Sequence, residues 1–583
     1  NPDNRAEATL VDAFVRGGLR LVGQDEALAT ELISRVVSNS HARQLHAFAP
    51  QDFRDHVRGS FDGHVVHISA IQDGAIRIGL GWSGVERPGG TVKGVSACTT
   101  VLNAITTFAE ECLCRDLARY DRRSQILAAV RNHEAAEISA RRWKRTSAAM
   151  IALSDDEAAI RSETADHLFK LNGVSLAARI LMEVGLHHCP ETGGLEVADI
   201  DLSRLSAWAL MIVHLGGCSD AIHYEAMKPE IRISPGGEVQ INHEFFEGVM
   251  DLVGKDFADR QVDRERTGYA KYVTMPTPVI EPPDGDQDSD FDAAWEEEFG
   301  ASLQTYRLTM DAMENLCVKD GHAWLILPRS KLVSLLEAEV AGATIVVGLL
   351  ESVPRSAWKQ VPSGYDDIDR QPWRFRRRLS IARCPLINLG NGDDPDVLMV
   401  PGMARDGLSS TVMNMFEGSY EASRLRSSKM RRWAGKVSNA RGREFQEEVA
   451  AEMKRLGWSA RTEVKFGEIF GKDPDENPGD IDVLVWRGDG RICLLECKHL
   501  LFAKTPSEVA KQLSNFRGLT NDRGKPDRLG KHLNRLAIAK SNSSAFAKFT
   551  GLREPVISAG LIFPYTVPMQ FAVDRMSEKL WVG

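Results

Sequence analysis

Residues 479–498, Gly-Asp-Ile-Asp-Val-Leu-Val-Trp-Arg-Gly-Asp-Gly-Arg-Ile-Cys-Leu-Leu-Glu-Cys-Lys, constrain the fold more than any other stretch of the 583-residue chain. Two apolar runs flank Gly488-Asp489-Gly490, the pattern of a β-hairpin closed by a glycine-containing loop. If Arg487 pairs with Arg491 around a three-residue loop, counting back along the strands sets Asp482 opposite Glu496. Their Cβ atoms are then roughly 5 Å apart, and Lys498 follows two residues on along the same face. A two-residue Asp489-Gly490 loop would instead bring Cys497 opposite Asp482 and turn Glu496 away. Leu484, Trp486, Ile492 and Leu494 make one face apolar, and Ile481, Val483, Val485 and Leu495 the other, so the hairpin belongs in the middle of a sheet covered on both sides.

Two facing carboxylates repel each other and lose hydration in such a sheet. A divalent cation between them removes that cost. A core salt bridge from Lys498 to one acid accounts for a single carboxylate and leaves the other unexplained.

Asp482 followed by Glu496-Cys497-Lys498 on the next strand resembles the PD-(D/E)xK nuclease superfamily, in particular its resolvase-like and methyl-directed restriction branches. The resemblance covers residues 436–583. Upstream, Arg441-Gly442-Arg443-Glu444-Phe445 opens a helix with Phe445, Val449, Met453 and Leu456 on one face, similar to the first helix of that family. Many relatives carry a metal-proximal Glu just after the aromatic position. Here Gln446 stands there, so Gln446 is a neutral ligand, Glu447 or Glu448 substitutes, or the contact is absent. Downstream, Gln512 on a helix over 507–516 looks like a glutamine that some branches place near the site; an exposed helix glutamine is the equal alternative. The resemblance implies hydrolysis of DNA phosphodiester bonds with Mg²⁺, or Mn²⁺ in its place, held by Asp482, Glu496 and the backbone carbonyl of Cys497. Lys498 then orients or deprotonates the attacking water. Arg441, Arg443, Lys504, Lys511, Arg528, Lys531 and Arg535 belong to basic blocks flanking the acids and are the candidate DNA contacts, with a solvated helix face as the plain alternative for about half of such residues.

Elsewhere the pattern is mainly helical. Residues 7–37 have helical spacing, with Gly17-Gly18 and Gly23 as potential breaks, and so do 99–227 apart from a loop at 188–194, and 243–273. Hairpins are expected at 64–80, around Gln72-Asp73-Gly74, and at 230–242, around Pro235-Gly236-Gly237. Residues 281–300 carry nine acids and no base. Removing those nine from the 81 acids leaves 72, equal to Lys plus Arg, so the net charge of -9 belongs to this one segment and global charge does not select a partner. With Pro276, Pro278, Pro282 and Pro283 before it, the segment reads as an extended solvated linker. It resembles a calcium loop only until the sixth position, where the required Gly is Phe291. Beyond it, 331–340 reads as helix and 378–389 and 397–400 as strand.

A hydrophobic share of 43% and a charged share of 26% exclude disorder throughout. Nine scattered cysteines point to a reducing compartment, and the cytoplasm is the expected location. His187, His188, Cys189, His214, Cys218 and His223 could be combined as a zinc set, but without a CxxC pair they read as core residues. The longest apolar runs, such as 341–350, fall short of the roughly 18 to 20 residues a membrane span needs. The chain starts at Asn1 without an initiator Met, as a trimmed chain would.

The expected architecture is multidomain α/β. It comprises a mainly helical region with two hairpins (1–275), the acidic linker (276–300), a small mixed module (301–430) and a restriction-endonuclease-like domain with a central mixed sheet flanked by helices (431–583). The expected function is a metal-dependent deoxyribonuclease in restriction, antiphage defence or DNA processing, governed by a ligand or protein partner at the N-terminal region. Self-association into a homo-oligomer is compatible with it, and no membrane partner is expected. The alternative is a nuclease-fold module that binds nucleic acid or a protein without cutting.

Overall fold

Helices surround three small sheets in the computed structural model, which describes residues 5–24, 26–37, 58, 63–81, 84–85, 89–153, 156–236, 238–274, 285–375, 377–390, 392–418, 420, 425–472, 478–520, 524–572, 576 and 580–583. The chain opens with α1 (Arg5–Leu21) and α2 (Glu26–Val36), which break at Gly23 (φ 71°) and not at Gly17-Gly18. Then come α3 (Ala70–Gly81), β1 (Gly90–Lys93), α4 (Val95–Leu117), α5 (Arg122–Leu153), α6 (Glu157–His188) and α7 (Asp199–His223). The expected hairpin at 230–242 forms from β2 (Glu230–Ile233) and β3 (Val239–Ile241), and β1 adds antiparallel to β2. A π-turn at Phe246–Met250 leads into α8 (Asp251–Thr274).

The hairpin expected at 64–80 is not there. Ser69 Oγ accepts from Gln72 N at 3.1 Å as an N-cap does, and Arg77 pairs with Asp73 one turn back at 2.9 Å. Ile76, 4% exposed, is packed into the core, so Gly74 lies inside α3 and makes no turn.

The acidic linker is also corrected. Residues 275–284, with the prolines, lie outside the described residues, but 285–299 form α9 (Gly285–Phe299). Phe291, Ala294 and Trp295 recur at helical spacing and are 1–2% exposed. They belong to a core shared with α10 (Leu303–Asp320), α11 (Arg329–Glu339), α12 (Ala343–Leu350) and the start of a later long helix. The acids hid an amphipathic helix whose apolar stripe is only three or four residues wide.

The middle module has a three-stranded sheet of β4 (Leu325–Pro328), β5 (Ile387–Asn388) and β6 (Asp396–Met399) in the order β4-β6-β5. The strand expected at 378–389 shrinks to β5, because Asp369 captures the Arg378 backbone N–H at 2.7 Å and its guanidinium at 2.8 Å, and the chain then turns, with Ser380 N donating to the Arg377 carbonyl at 3.3 Å and Arg383 N to the Ser380 carbonyl at 2.9 Å. After α13 (Pro401–Phe416), α14 (Ser428–Arg455) starts in this core with Met430 and Trp433 and ends on the last sheet with Val449 and Met453.

That sheet combines β7 (Ser459–Val464), β8 (Ile481–Arg487), β9 (Arg491–Cys497), β10 (Val556–Ile562) and β11 (Trp581–Val582) in the order β11-β10-β9-β8-β7. β7, β8 and β9 are antiparallel neighbours, while β10 runs parallel to β9 and β11. α14 covers the face bearing Val483, Val485 and Leu495. The opposite face, with Leu484, Ile492 and Leu494, is covered by α15 (Phe466–Phe470), α17 (Arg528–Ser541) and α18 (Ser543–Thr550). Between β9 and α17 lies α16 (Pro506–Ser514), capped by Thr505 and docked on α7. Gly216 and Gly217 permit this approach inside a continuous helix: a Cβ would come within 2.5 Å of the Trp373 ring at the first and 3.2 Å of Pro506 at the second. Phe257 of α8 stacks on Phe502 at 3.8 Å beside it. One core therefore runs from Ile76 to Ala572, and the boundary expected at 431 does not divide it. Among the described residues only α7 has the length and composition of a membrane-crossing helix, and 83% of its most apolar window is buried inside the fold.

Candidate active site

The hairpin takes the three-residue loop. Arg487 faces Arg491, and the ladder continues to Val483 facing Leu495. Asp489 explains the choice: its carboxylate accepts from both flanking arginines, including Arg487 Nη2 at 2.7 Å and Arg491 Nε at 2.9 Å. Both guanidinium groups lie over Trp458, and Gly490 supplies the left-handed residue at φ 89°.

Beyond Val483 the strands stop pairing main chain to main chain. Asp482 Oδ2 instead accepts the Cys497 backbone N–H at 2.8 Å. Lys498 reaches back to both acids, 3.3 Å from Asp482 Oδ2 and 2.8 Å from Glu496 Oε1. Glu496 is 5% exposed. Its other oxygen, Oε2, takes Arg535 Nη1 and lies 3.6 Å from His532 Nδ1. Arg535 and His532 both come from α17, three residues apart, and Arg535 is fixed from behind by a 3.1 Å bond to the Pro478 carbonyl. Asp482, Glu496 and Lys498 thus converge, joined by two residues from a helix more than 30 positions downstream.

Burial pushes the Asp482 carboxyl above its ordinary range, and the charge on Glu496 adds to this, against Lys498. Burial also opposes ionisation of Glu496, but Lys498 and then Arg535 outweigh it and bring that carboxyl below its ordinary range. Burial works against the Lys498 charge, yet Glu496 and Asp482 prevail and raise its pKa. Lys498 is therefore a firmly protonated donor. Burial pushes His532 down to about 4, so at neutral pH it contributes a neutral ring, 1% exposed.

The other residues singled out in the sequence fall in different places. Gln446 is turned inward on α14, with a buried Oε1 that has no hydrogen-bond partner among the described residues, but α14 covers the opposite face of the sheet. Glu447 and Glu448 are exposed. Gln512 donates to the Leu501 carbonyl, lining a small cavity with Arg260 and Tyr565, and makes no contact with the acids. Arg535, expected on a DNA-facing surface, is instead the countercharge of Glu496. Arg528 and Lys531 are exposed on α17 two turns and one turn before Arg535, on the face that leads into the site. Lys511 is exposed; Arg441 and Arg443 are exposed but paired with Glu444 and Glu463; Lys504 lies 4.0 Å from the centre of the Phe375 ring. His532 was missed, although the spacing of His532 and Arg535 on one helix was visible; what linked it to Glu496 was a tertiary contact.

Among the described residues no three His, Cys, Asp or Glu side chains form a metal-holding group. His214 and Cys218 are neighbours at 4.0 Å on α7 and gather no further ligand among them. The donor chemistry around Asp482 nevertheless suits a hard cation: among the described residues its hydrogen bonds and ion pairs fall on Oδ2, and a carboxyl held above its ordinary range is one whose charge the local cations do not fully compensate.

Burial takes three histidines, His187, His214 and His532, from the ordinary 6.5 to about 4. The unfolded chain binds their protons near 6.5 and the folded chain only near 4, so the folded state should lose stability as pH falls through that window. Melting temperature measured against pH should decline between those values, and His214→Phe, beside Phe246, should flatten part of the slope.

The fold and this cluster define a multidomain α/β protein with an acid–lysine site at the open end of a central hairpin. The family model described as Anti-phage protein Upx-like matches residues 1–583, and the chain belongs to that family. Its role is accordingly antiphage defence; the description names no reaction. No curated protein and no solved structure matches the chain.

Proposed function

We propose that the sheet module is a metal-dependent nuclease that hydrolyses DNA phosphodiester bonds in antiphage defence, with the helical N-terminal region controlling it. The observation that carries this reading is the convergence of Lys498 on Asp482 and Glu496 where the two central strands part. Asp482, Glu496 and the Cys497 carbonyl would hold Mg²⁺, or Mn²⁺, whose chemistry when bound is to make a water nucleophilic near neutral pH and to offset charge on the phosphate. Lys498, whose charge Glu496 and Asp482 favour, orients the attacking water and donates to the phosphorane-like transition state. Arg535 fixes Glu496. Arg528 and Lys531 track the DNA backbone toward the site from α17, and Lys511, Arg441 and Arg443 extend the basic surface.

The purified chain, given supercoiled, linear and single-stranded DNA, is expected to yield product only with Mg²⁺ or Mn²⁺. Reversing the charge of Arg528 and Lys531 should weaken binding and lower the salt slope by about one for each phosphate that is no longer neutralised. A module that binds nucleic acid or a partner without cutting is the second reading. It is favoured by the capture of both Glu496 oxygens by cations and by Gln446 in the place of an acid. Salt-sensitive DNA binding with no product under either metal would decide for it.

A further inference from the structure

A cluster of rings stands where two parallel strands leave the acid–lysine site. β9 and β10 end side by side, because Lys498 N donates to the Ile562 carbonyl at 2.9 Å. The residue after Lys498 is His499, and Tyr565 stands three residues beyond Ile562. Both are exposed, Tyr565 to 42%. Their rings meet edge to face, with centres 5.5 Å apart and planes at 83°. Arg260 of α8 lays its guanidinium 4.4 Å from the centre of the Tyr565 ring, and a 2.8 Å bond from its Nε to Asp256, one turn back, holds it there. The Arg260 Nη groups make no hydrogen bond among the described residues. On the other side, Glu417 and Arg441 lie near enough for their charges to bear on the His499 ring.

The packing of α8 on this segment does not need these rings. Phe257 and Phe502 provide it, stacked nearly flat at 11°, and Phe502 lies against the main core while Tyr565 does not. The cavity between the two loops and α8 holds about 20 Å³, room for a water, so a larger group lies across its mouth and against the rings. Two aromatic side chains and an arginine fork, all partly open to solvent, are what an unpaired nucleotide requires: the base stacks on a π-face and the guanidinium takes a phosphate oxygen. A base inside a duplex has both faces covered by its neighbours and offers no face to such a platform.

We infer that His499, Tyr565 and Arg260 hold an unpaired nucleotide of the DNA strand engaged at the acid–lysine site, so that the substrate is single-stranded or locally opened DNA. The inference rests on the reading of this module as one that acts on DNA, and it names the form of DNA taken. Position ties the platform to the chemistry: His499 follows Lys498 directly, and the Lys498 to Ile562 bond sets Tyr565 beside it, so a strand whose phosphate lies at Asp482 and Glu496 passes the rings. Arg260 belongs to the helical N-terminal region, which thereby contributes a side chain to substrate binding.

The test is fluorescence anisotropy of the full chain, without divalent metal and at one salt concentration, on three oligonucleotides of equal length: a DNA single strand, its duplex, and an abasic strand that keeps the phosphates and lacks the bases. The single strand is expected to bind about tenfold tighter than either of the others. Tyr565→Leu, which keeps apolar bulk but no π-face, should remove most of that preference and leave duplex binding and the melting temperature as in the wild type. Tyr565→Phe should retain the preference. Equal or tighter binding of the duplex overturns the inference, as does an abasic strand bound as well as the natural one, or a folded Tyr565→Leu chain with the wild-type preference. If Tyr565→Leu does not fold, the wild-type comparison of natural and abasic strands decides alone. The two readings fail separately: metal-dependent cleavage without a preference for the single strand keeps the nuclease and sinks the platform, and a single-strand preference without cleavage under Mg²⁺ or Mn²⁺ does the reverse.

Discussion

Asp482→Asn is expected to abolish metal-dependent cleavage, with a loss of about a hundredfold or more, while the protein melts at the same or a higher temperature. The two halves of this expectation have one cause. Burial and Glu496 hold the Asp482 carboxyl above its ordinary range, so the folded state disfavours the ionised form that dominates at neutral pH. A neutral side chain of the same shape removes that cost. Its carbonyl oxygen can still accept the Cys497 N–H that closes the end of the hairpin. What is lost is one of the two negative charges available to a metal. DNA affinity, set mainly by exposed lysines and arginines, should survive or rise, because a negative charge near the phosphate has gone. Lys498→Ala should also stop turnover but spare metal binding, since an ammonium repels a cation. A variant that loses activity only because it unfolds would contradict this account, as would Asp482→Asn cleaving at the wild-type rate.

Trp295→Ala should destabilise the middle module by about 3–5 kcal/mol, a large part of the roughly 5–15 kcal/mol that holds a domain folded. Trp295 is 1% exposed and sits among aromatic rings, 4.3 Å from Phe299, 5.5 Å from Tyr306 and 5.7 Å from Phe291, measured between centres. No neighbour can swing into the space it leaves without vacating its own. Its indole N–H is buried without a partner among the described residues, so Trp295→Phe, which removes that orphan donor and keeps most of the ring, should cost much less. Asp290→Ala, on the exposed side of the same helix, should stay within about 0.5 kcal/mol. Urea unfolding followed by circular dichroism separates these outcomes. Equal, small effects at Trp295 and Asp290 would return this segment to a solvated linker.

Local patterns were legible where one rule applied without competition. The 479–498 hairpin declared its strands and double burial through its alternation and glycines, while the choice between a two- and a three-residue loop fell to the contacts of Asp489 with Arg487 and Arg491. At 64–80 two rules competed: Gln72-Asp73-Gly74 looks like a turn, but the Ser69 cap and the Asp73–Arg77 pair stabilise a helix through the same residues. At 285–299 composition concealed periodicity, since acids outnumber Phe291, Ala294 and Trp295 although those three define the buried face. In the site, Asp482, Glu496 and Lys498 were accessible through strand pairing, a short-range geometry. His532 and Arg535 arrive by the packing of α17 on the sheet, which no local spacing encodes.

The docking of α16 on α7, with Pro506 and Trp373 pressed against two adjacent glycines, bears on how such a protein can change over time. A domain that is spliced, swapped or lost as a unit must carry its own interior with it. Here the residues just after the Glu496–Lys498 strand complete an interior begun roughly 300 residues earlier, so a break anywhere between them would expose Val509, Ala510 and Leu513 on one fragment and the face of α7 on the other. The sheet module cannot be lent to another protein, nor the helical region fitted with a different effector, without rebuilding this joint.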